Sequence, residues 1–498
     1  MKARTGVNGH LMSNYHWRLD IYGTMMKHLL FFLALACATS TVTATPGDPA
    51  STLVKVRDTA MSRSYAYERL SDLTDLIGPR LAGSPGAAAA VSQVAGAMRK
   101  LGANVSLQPV KVPHWVRGDE TGTLVGYAGR PAGVSQKISL TALGGSGSTG
   151  VEGVTAPVLI VYSFDEFKLR TAEARGKIVL FDVPFDQVKA RTGLASHAYG
   201  AAVAYRAQAP RMAAEAGAVA ALVRSVGGAN FRLPHTGATV FGPAKPIPAA
   251  AVAPEDAMLM TRLAARGPVT MHLTLTPRTL PDADSYNVIA DWPGTDKADE
   301  VVIVSAHLDS WDVGTGAHDD GAGMAAAMGV LDVLRTLNLR PRRTIRVIAW
   351  MNEESGGSGA NAYLNAMKTT VARHFAGIES DSGMGRPLGI QASIGKAAVP
   401  LFEPLQKVLA PLGADVLRRE DALDTGDLYP LENAGMPSFE PLGDSSTYFD
   451  YHHTNADTLD KIDPDNLRRH VAVMASLAWF LANLDQAIGQ APVAAEAR

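Results

Sequence analysis

The C-terminal part of the chain alternates short apolar runs with amphipathic stretches, and this alternation constrains the fold more than any other feature of the sequence. Residues 301–306 and 344–350 have the length and the Val/Ile content of buried strands. The amphipathic stretches, which have helical periodicity, are residues 324–337, 361–367 and 466–484. Strands that alternate with helices predict an α/β fold with a mostly parallel sheet flanked by helices.

A chain of 498 residues is too long for one compact core, so further domains are expected. Residues 125–280 consist of short Val/Ile-rich runs between Gly/Pro-rich turns, which predicts an inserted β-rich domain. The runs are residues 156–162, 176–181, 218–223 and 247–252. Residues 45–124 have helical spacing at 67–76 and 87–101, and we expect them to join residues 281–498 in one domain.

The first 44 residues differ in character from the rest of the chain. Residues 29–36 form an apolar run too short to span a membrane, preceded by Lys27 and followed by small residues up to Ala44. This arrangement predicts a signal peptide at about residues 26–44, behind a short extension, and hence a secreted or periplasmic protein. Two alternatives are a buried N-terminal helix and a lipoprotein anchored at Cys37, the only cysteine of the chain.

Charge and hydropathy exclude two classes of partner. A formal net charge of -2 gives no basis for binding nucleic acid or an anionic membrane surface. Outside the N-terminal segment, no run approaches the roughly 18 apolar residues that a membrane-spanning helix needs. We therefore expect no nucleic-acid partner and no membrane span in the mature protein, while a homodimer stays open.

Imidazole and carboxylate side chains directly follow the two predicted strands. His307 and Asp309 come after the first strand, and Glu353 and Glu354 come after the second. Because sites in α/β sheets form beyond the carboxyl ends of the strands, we expect these side chains to lie together. Charges are costly to bury alone, and a divalent cation would offset that cost. Since cleavage after Ala44 leaves no thiolate, the ligands would be nitrogen and oxygen, which suits zinc in an open site.

Two spacings within these clusters carry further expectations. Asp309 stands two residues after His307, so its carboxylate is expected to accept a hydrogen bond from the imidazole nitrogen that faces away from the metal. Glu353 and Glu354 are adjacent at a strand end and point in different directions. One of them would bind the metal and the other would move protons on water, and the spacing alone leaves open which does which.

Four motifs in a fixed order carry a family resemblance. They are HLDSWDVGTGAHDDGAG from His307, NEESGGSGA from Asn352, ESDSG from Glu379 and YFDYHHTNADT from Tyr448. Together they resemble the co-catalytic two-zinc exopeptidases, in the branch that contains plasma glutamate carboxypeptidase, whereas any one motif alone would be weak. The resemblance covers most of the chain after residue 44. It implies a zinc-exopeptidase-like fold, with a protease-associated insert at 125–280 and a catalytic peptidase domain at 281–498.

Position by position, the resemblance implies five metal ligands. His307 and Asp381 would hold one zinc ion, and Glu354 and His453 would hold the other. Asp319 would bridge both ions.

The resemblance also implies roles for two further carboxylates. Glu353 would be the general base, and Asp309 would orient His307. The peptide bond between Asp319 and Asp320 is often cis in this family.

Two of the ligand assignments have a neighbouring alternative. His452 stands beside His453, and His453 is favoured because Thr454 follows it, as Thr or Ser typically follows the family's ligand. Glu379 could be mistaken for Asp381, which the motif position favours.

The activity that the resemblance implies is zinc-dependent hydrolysis of peptide bonds in short peptides, with two zinc ions per chain and a water activated by both. Unblocked dipeptides are the expected substrates. One alternative is an aminopeptidase that acts on longer peptides. The other is a non-hydrolytic binding relative, which would be expected to lack ligands, whereas all five are present.

Overall fold

The computed structural model describes residues 49–228, 231–423 and 426–492. These residues belong to one compact unit, Gly47–Arg498. The predicted signal peptide at residues 26–44 and the alternative anchor Cys37 lie outside the described residues. Among the helices that the structure describes, none is both long and apolar enough to cross a membrane.

Within the described ranges, the strands form two eight-stranded sheets. In chain order the strands are β1 (Asn104–Val116), β2 (Glu120–Gly126), β3 (Gln136–Ile138), β4 (Leu140–Ala142), β5 (Val154–Val161), β6 (Ile178–Phe181), β7 (Ala220–Arg224), β8 (Ala249–Val252), β9 (Thr270–Leu275), β10 (Arg278–Trp292), β11 (Lys297–His307), β12 (Arg343–Trp350), β13 (His374–Glu379), β14 (Pro387–Ser393), β15 (Val416–Arg419) and β16 (Ser438–Gly443).

The α-helices of the described residues lie between and around these strands. They are α1 (Pro49–Met61), α2 (Tyr65–Ser71), α3 (Pro85–Leu101), α4 (Phe164–Leu169), α5 (Gln187–Lys189), α6 (Ala195–Glu215), α7 (Pro254–Ala264), α8 (Ala322–Thr336), α9 (Ser358–Met367), α10 (Glu403–Leu409), α11 (Tyr429–Asn433), α12 (Tyr448–Tyr451) and α13 (Pro464–Asn483).

The first sheet has the strand order β1-β10-β12-β11-β13-β16-β14-β15. Its four central strands, from β12 to β16, are parallel neighbours, which confirms the predicted parallel sheet at the centre. The outer pairs β1–β10, β10–β12 and β14–β16 are antiparallel, so the sheet as a whole is mixed. β10 runs antiparallel to the central strands because only residues 293–296 connect it to β11, and a parallel connection needs a longer crossover.

The first sheet is covered by helices on both faces. Successive residues of β11 alternate between these faces: Val302 and Val304 pack with α8 and α13, whereas Ile303 packs with Tyr363 of α9. The centre of the sheet is therefore dry on both sides. Polar groups can meet only at the ends of its strands.

The second sheet has the order β3-β2-β9-β5-β6-β7-β8-β4 and is built from residues 120–275, which we call the second-sheet region. The predicted strands are present as β5, β6, β7 and β8, and these four are parallel. The domain boundaries at residues 125 and 280 stay a prediction.

The expectation that this region is β-rich is wrong in one respect, because helices pack on both faces of the second sheet. The largest is α6, a 21-residue helix that the sequence analysis missed. Its sequence is rich in Ala, which favours a helix but gives little contrast between apolar and polar faces. Pro210 lies inside it, where a proline normally indicates a break.

Candidate functional site

The carboxyl ends of three neighbouring strands bring most of the predicted site residues to one edge of the first sheet. His307 is the last residue of β11, Glu353 and Glu354 follow β12, and Asp381 follows β13. Since β12, β11 and β13 are parallel neighbours, their ends lie side by side. The prediction that these side chains meet at one edge is therefore confirmed.

The two remaining predicted ligands come from turns. Asp319 lies in the irregular turn Ala317–Gly321 that leads into α8, and the peptide bond between Asp319 and Asp320 is cis, as the resemblance implied. His453 follows α12 and has a positive φ of 62°. Both residues are buried.

The carboxylate of Asp319 stands between two histidines. Its Oδ1 lies 3.1 Å from Nε2 of His307, and its Oδ2 lies 3.1 Å from Nε2 of His453. Each histidine also faces a second carboxylate: His307 Nε2 is 3.5 Å from Asp381 Oδ1, and His453 Nε2 is 3.0 Å from Glu354 Oε2. The five residues thus form two sets that share Asp319, which we call the His307 side and the His453 side.

His452 is close to this arrangement but less central. Its Nε2 lies 3.4 Å from Asp319 Oδ2, and its ring stacks on His453 with centroids 3.6 Å apart. Only His453 also faces Glu354. The geometry therefore favours His453 as the donor on this side, in line with the motif.

Glu379 occupies a different place from Asp381. Its Oε2 accepts a hydrogen bond from the backbone N–H of Leu428 at 2.9 Å, whereas Asp381 faces His307. The choice of Asp381 over Glu379 thus agrees with the contacts.

The expected hydrogen bond from His307 to the carboxylate of Asp309 is wrong. His307 Nδ1 donates to the backbone carbonyl of Asp309 at 2.9 Å, and the nearest carboxylate oxygen is 3.9 Å away. That carboxylate instead accepts hydrogen bonds from the backbone N–H groups of Asn352 at 2.7 Å and Glu353 at 3.2 Å. Asp309 therefore ties the end of β11 to the loop after β12, and it positions the backbone of Glu353.

Glu353 lies near the His307 side and is less buried than Glu354. The backbone at Gly426 closes on it, since a Cβ there would lie 3.3 Å from Glu353 Oε1 and 3.4 Å from Asp381 Oδ2. Burial raises the pKa of Glu353 well above its usual range, and the Asp381 carboxylate adds to this against the opposing effect of His307. Without a metal, these effects favour the protonated carboxyl, and a bound cation would favour the carboxylate, which is the form that can accept a proton.

Burial and neighbouring charges also shift the pKa of His307 and of His453. Burial lowers the pKa of His307, but the carboxylates of Asp381 and Asp319 outweigh it and raise the pKa well above its usual range. For His453, Glu354 and Asp319 likewise outweigh burial and raise the pKa to about 9. By themselves, these carboxylates therefore hold protons on both histidines. A divalent cation would take the place of those protons, because metal-bound imidazole is neutral.

The donor atoms fit a metal. Within the described residues, the buried carboxylate oxygens without a hydrogen-bond partner include those of Asp309 (Oδ2), Asp320 (Oδ2), Glu354 (Oε1), Glu379 (Oε1) and Asp427 (Oδ1 and Oδ2). Three groups have ligand atoms within 4.8 Å of one another: Asp319 with His452 and His453, His307 with Asp320 and Asp381, and His307 with Asp319 and Glu354. Unpaired buried carboxylates are costly, and a cation bound by nitrogen and oxygen offsets that cost.

Two positioning residues were missed by the sequence analysis. Asp457 accepts hydrogen bonds from the backbone N–H groups of His318 at 2.7 Å and Asp319 at 3.2 Å, so it holds the turn that presents Asp319. It lies inside the fourth motif, which was the available signal. The buried guanidinium of Arg80 donates to the carbonyls of Leu308, Thr315 and Gly316, and so shapes the loop after β11. The sequence analysis had predicted only helical spacing on either side of it, at residues 67–76 and 87–101.

Comparison with known proteins places the chain in a family. Residues 287–478 match the profile of Peptidase family M28. The chain is 36% identical over 444 residues to human carboxypeptidase Q, covering 88% of this chain and 90% of that protein. The chain belongs to peptidase family M28. It is therefore a metallo-exopeptidase, a hydrolase of peptide bonds, as the four motifs predicted.

Two other proteins extend the comparison. Aminopeptidase YwaD of Bacillus subtilis (strain 168) is 26% identical over 462 residues, which is 89% of this chain and 92% of that protein. A crystal structure of a peptidase M28 precursor from Shewanella amazonensis SB2B is 34% identical and superposes with a TM-score of 0.82, covering 89% of this chain and 99% of that one. The mixed α/β fold of this M28 peptidase is thus shared along nearly its whole described length.

Proposed function

We propose that this M28 peptidase hydrolyses short peptides, chiefly unblocked dipeptides, with two zinc ions per chain. His307 and Asp381 would hold one ion, His453 and Glu354 the other, and Asp319 both. The observation that carries the proposal is the position of the Asp319 carboxylate between the two histidines. One of its oxygens lies 3.1 Å from His307 Nε2 and the other 3.1 Å from His453 Nε2. A carboxylate that serves one ion has no need of a histidine at each oxygen.

Zinc is the proposed metal because of the donor set and the relatives. Two imidazoles and three carboxylates, with no thiolate, suit zinc in a catalytic site. Structures of a zinc aminopeptidase from Bacillus subtilis share the fold of this chain, with a TM-score of 0.60 at 24% identity. When bound, the ions would supply Lewis acidity that polarises a carbonyl and lowers the pKa of water.

The protein's own groups have separate tasks in this proposal. Glu353 accepts a proton from the attacking water and returns it to the leaving amine, since its carboxylate lies beside the His307 side. The Asp309 carboxylate holds the Glu353 backbone N–H and keeps the base at the strand end. The Asp309 carbonyl fixes the His307 ring by accepting from Nδ1.

The preference for dipeptides follows from the two kinds of exopeptidase among the relatives. One relative is called a carboxypeptidase and another an aminopeptidase. An unblocked dipeptide carries both free ends that such enzymes recognise. An aminopeptidase that acts on longer peptides is the second candidate, favoured by the fold shared with bacterial aminopeptidases.

The test is a hydrolysis panel on the full chain with its zinc content measured in parallel. The panel contains an unblocked dipeptide, the same dipeptide blocked at either end, and a longer peptide with a free amino end. We expect hydrolysis of the unblocked dipeptide first, lost on chelation and restored by zinc. Faster hydrolysis of the longer peptide would establish the second candidate, and no hydrolysis of any peptide by zinc-loaded protein would overturn both.

Glu353→Gln separates the base from the ligands within the same panel. We expect this variant to keep the zinc content of the unaltered protein and to lose turnover by about 10²–10⁴-fold, the usual contribution of a general acid–base group. Glu152→Gln changes an exposed carboxylate in the same way and serves as the control. Full activity of Glu353→Gln would remove Glu353 from the mechanism.

Export of the protein stays a prediction from residues 26–44. Removal of that segment during secretion is the proposed route, and attachment through a lipid at Cys37 is the alternative. The amino-terminal sequence of the mature protein would distinguish them.

A further inference from the structure

The backbone of His452 and His453 is held by the second-sheet region. The backbone N–H of Thr236 donates to the carbonyl of His453 at 2.9 Å. The ring of His235 donates from Nδ1 to the carbonyl of His452 at 2.8 Å. Both carbonyls of the histidine pair are thus bound by residues 235 and 236, which lie more than two hundred positions away in the chain.

The same segment also contacts the imidazole of His453. Nδ1 of His453 lies 3.1 Å from the backbone carbonyl of Thr236. A carbonyl can only accept a hydrogen bond, so this contact assigns the ring hydrogen to Nδ1. The lone pair is then on Nε2, which faces Asp319 and Glu354. Thr236 therefore sets both the tautomer and the orientation that a metal needs.

Arg206 of α6 fixes the Thr236 carbonyl in turn. Its Nη1 lies 3.4 Å from that carbonyl and 3.3 Å from His453 Nδ1. Since a guanidinium has no acceptor and Nδ1 carries a hydrogen, the carbonyl is the acceptor of Arg206. Nη2 donates to the hydroxyl of Tyr199 at 2.6 Å, which holds the guanidinium from its other end.

The guanidinium of Arg206 is buried and closely packed. Arg206 is 7% exposed. A Cβ on Gly237 would come within 2.4 Å of the guanidinium carbon, so the chain approaches Arg206 as closely as a glycine allows. Tyr199 also stacks on Phe449 of α12 at 4.7 Å between centroids, and α12 leads directly to the histidine pair. Arg206 and Tyr199 together join α6 to the His453 side.

We propose that Arg206 is a positioning residue, which through the Thr236 carbonyl holds His453 ready for the ion on its side. The inference rests on the proposed two-ion function and adds a dependence on the second-sheet region. In this arrangement the region completes the metal centre, and the His307 side has no such requirement.

The test is a zinc titration of the metal-free full chain, with binding read by calorimetry and by elemental analysis after dialysis at fixed free zinc. We expect Arg206→Met to lower the affinity for one of the two zinc ions by about 10–100-fold, the usual effect of removing a residue that supports a ligand. The affinity for the other ion should not change. Arg206→Lys retains one donor and should recover part of the affinity. Arg224→Met, which removes an arginine of β7 that pairs with Asp182 at 3.1 Å, is the matched control.

A double-mutant cycle identifies the ion that is weakened. Arg206→Met should have no further effect on zinc affinity in a His453→Ala background, and its full effect in a His307→Ala background. An equal loss of affinity for both ions, with a lower unfolding temperature of the metal-free protein, would mean that Arg206 has a general structural role and would overturn the inference. So would unchanged affinity for both ions. If the unaltered protein fails to bind two ions, the proposed function fails and the inference fails with it.

Discussion

The two sides of the site obtain their geometry from different parts of the molecule. On the His307 side, the imidazole is fixed by the carbonyl of Asp309, two residues along the chain, and its carboxylates follow neighbouring elements of the same sheet. On the His453 side, the imidazole is fixed by Thr236, 217 positions away. The first side is organised by the strand ends of the first sheet and by the turn after β11, whereas the second also needs the second-sheet region to be in place.

The largest effect is expected where the two sides meet. Asp319→Ala removes the carboxylate that faces both histidines, so we expect it to lower zinc occupancy on both sides and to leave no measurable turnover. Elemental analysis of the purified variant and the dipeptide assay check this. Asp299→Ala, which removes an exposed carboxylate, should behave like the unaltered protein. If Asp319→Ala kept both ions, Asp319 could not be the shared ligand.

A smaller effect is expected when one side is altered alone. Asp381→Asn should weaken zinc binding only on the His307 side, because Asp381 faces only His307. Glu354→Gln should weaken zinc binding only on the His453 side, because Glu354 faces only His453. Turnover should fall in both variants. Zinc titration of each variant, and of each combined with His307→Ala or His453→Ala, measures the separation. Loss of both ions from either single variant would contradict a division into two sides.

The smallest effect is expected from Asp309→Ala. The hydrogen bond that fixes His307 goes to the backbone carbonyl of Asp309 and survives this change, so zinc binding should be nearly unaltered. The carboxylate that holds Glu353 is lost, and we expect turnover to fall by about 10–100-fold. Asp309→Asn, which keeps one acceptor oxygen, should lie between. Loss of zinc with unchanged turnover per bound ion would instead favour the role that the sequence suggested.

Sequence patterns were sufficient to place His307, Glu353 and Glu354 at the ends of two strands, whereas Asp319 and Asp381 came only from the family resemblance. The Val/Ile-rich runs predict the two strands, and His307, Glu353 and Glu354 mark the sheet edge at which these strands end. The order of these strands was not predicted and is seen in the structure, where β12, β11 and β13 are parallel neighbours. These residues can be found from the sequence because their side chains are themselves the functional groups.

Sequence patterns were insufficient for the support of the His453 side. The group that contacts His453 Nδ1 is the backbone carbonyl of Thr236, and every residue has such a carbonyl. Arg206 lies on α6, whose Ala-rich sequence gave no clear periodicity. For Asp309 the error was of another kind, since the spacing was correct but the carbonyl, not the carboxylate, accepts from His307.

The central claim is that two ions share the carboxylate of Asp319. Anomalous diffraction at the zinc edge, from crystals of the full chain grown with zinc, tests it most directly. We predict two peaks, one against His307 and Asp381 and the other against His453 and Glu354, with Asp319 between them. A single peak, or a second peak away from His453, would contradict the account.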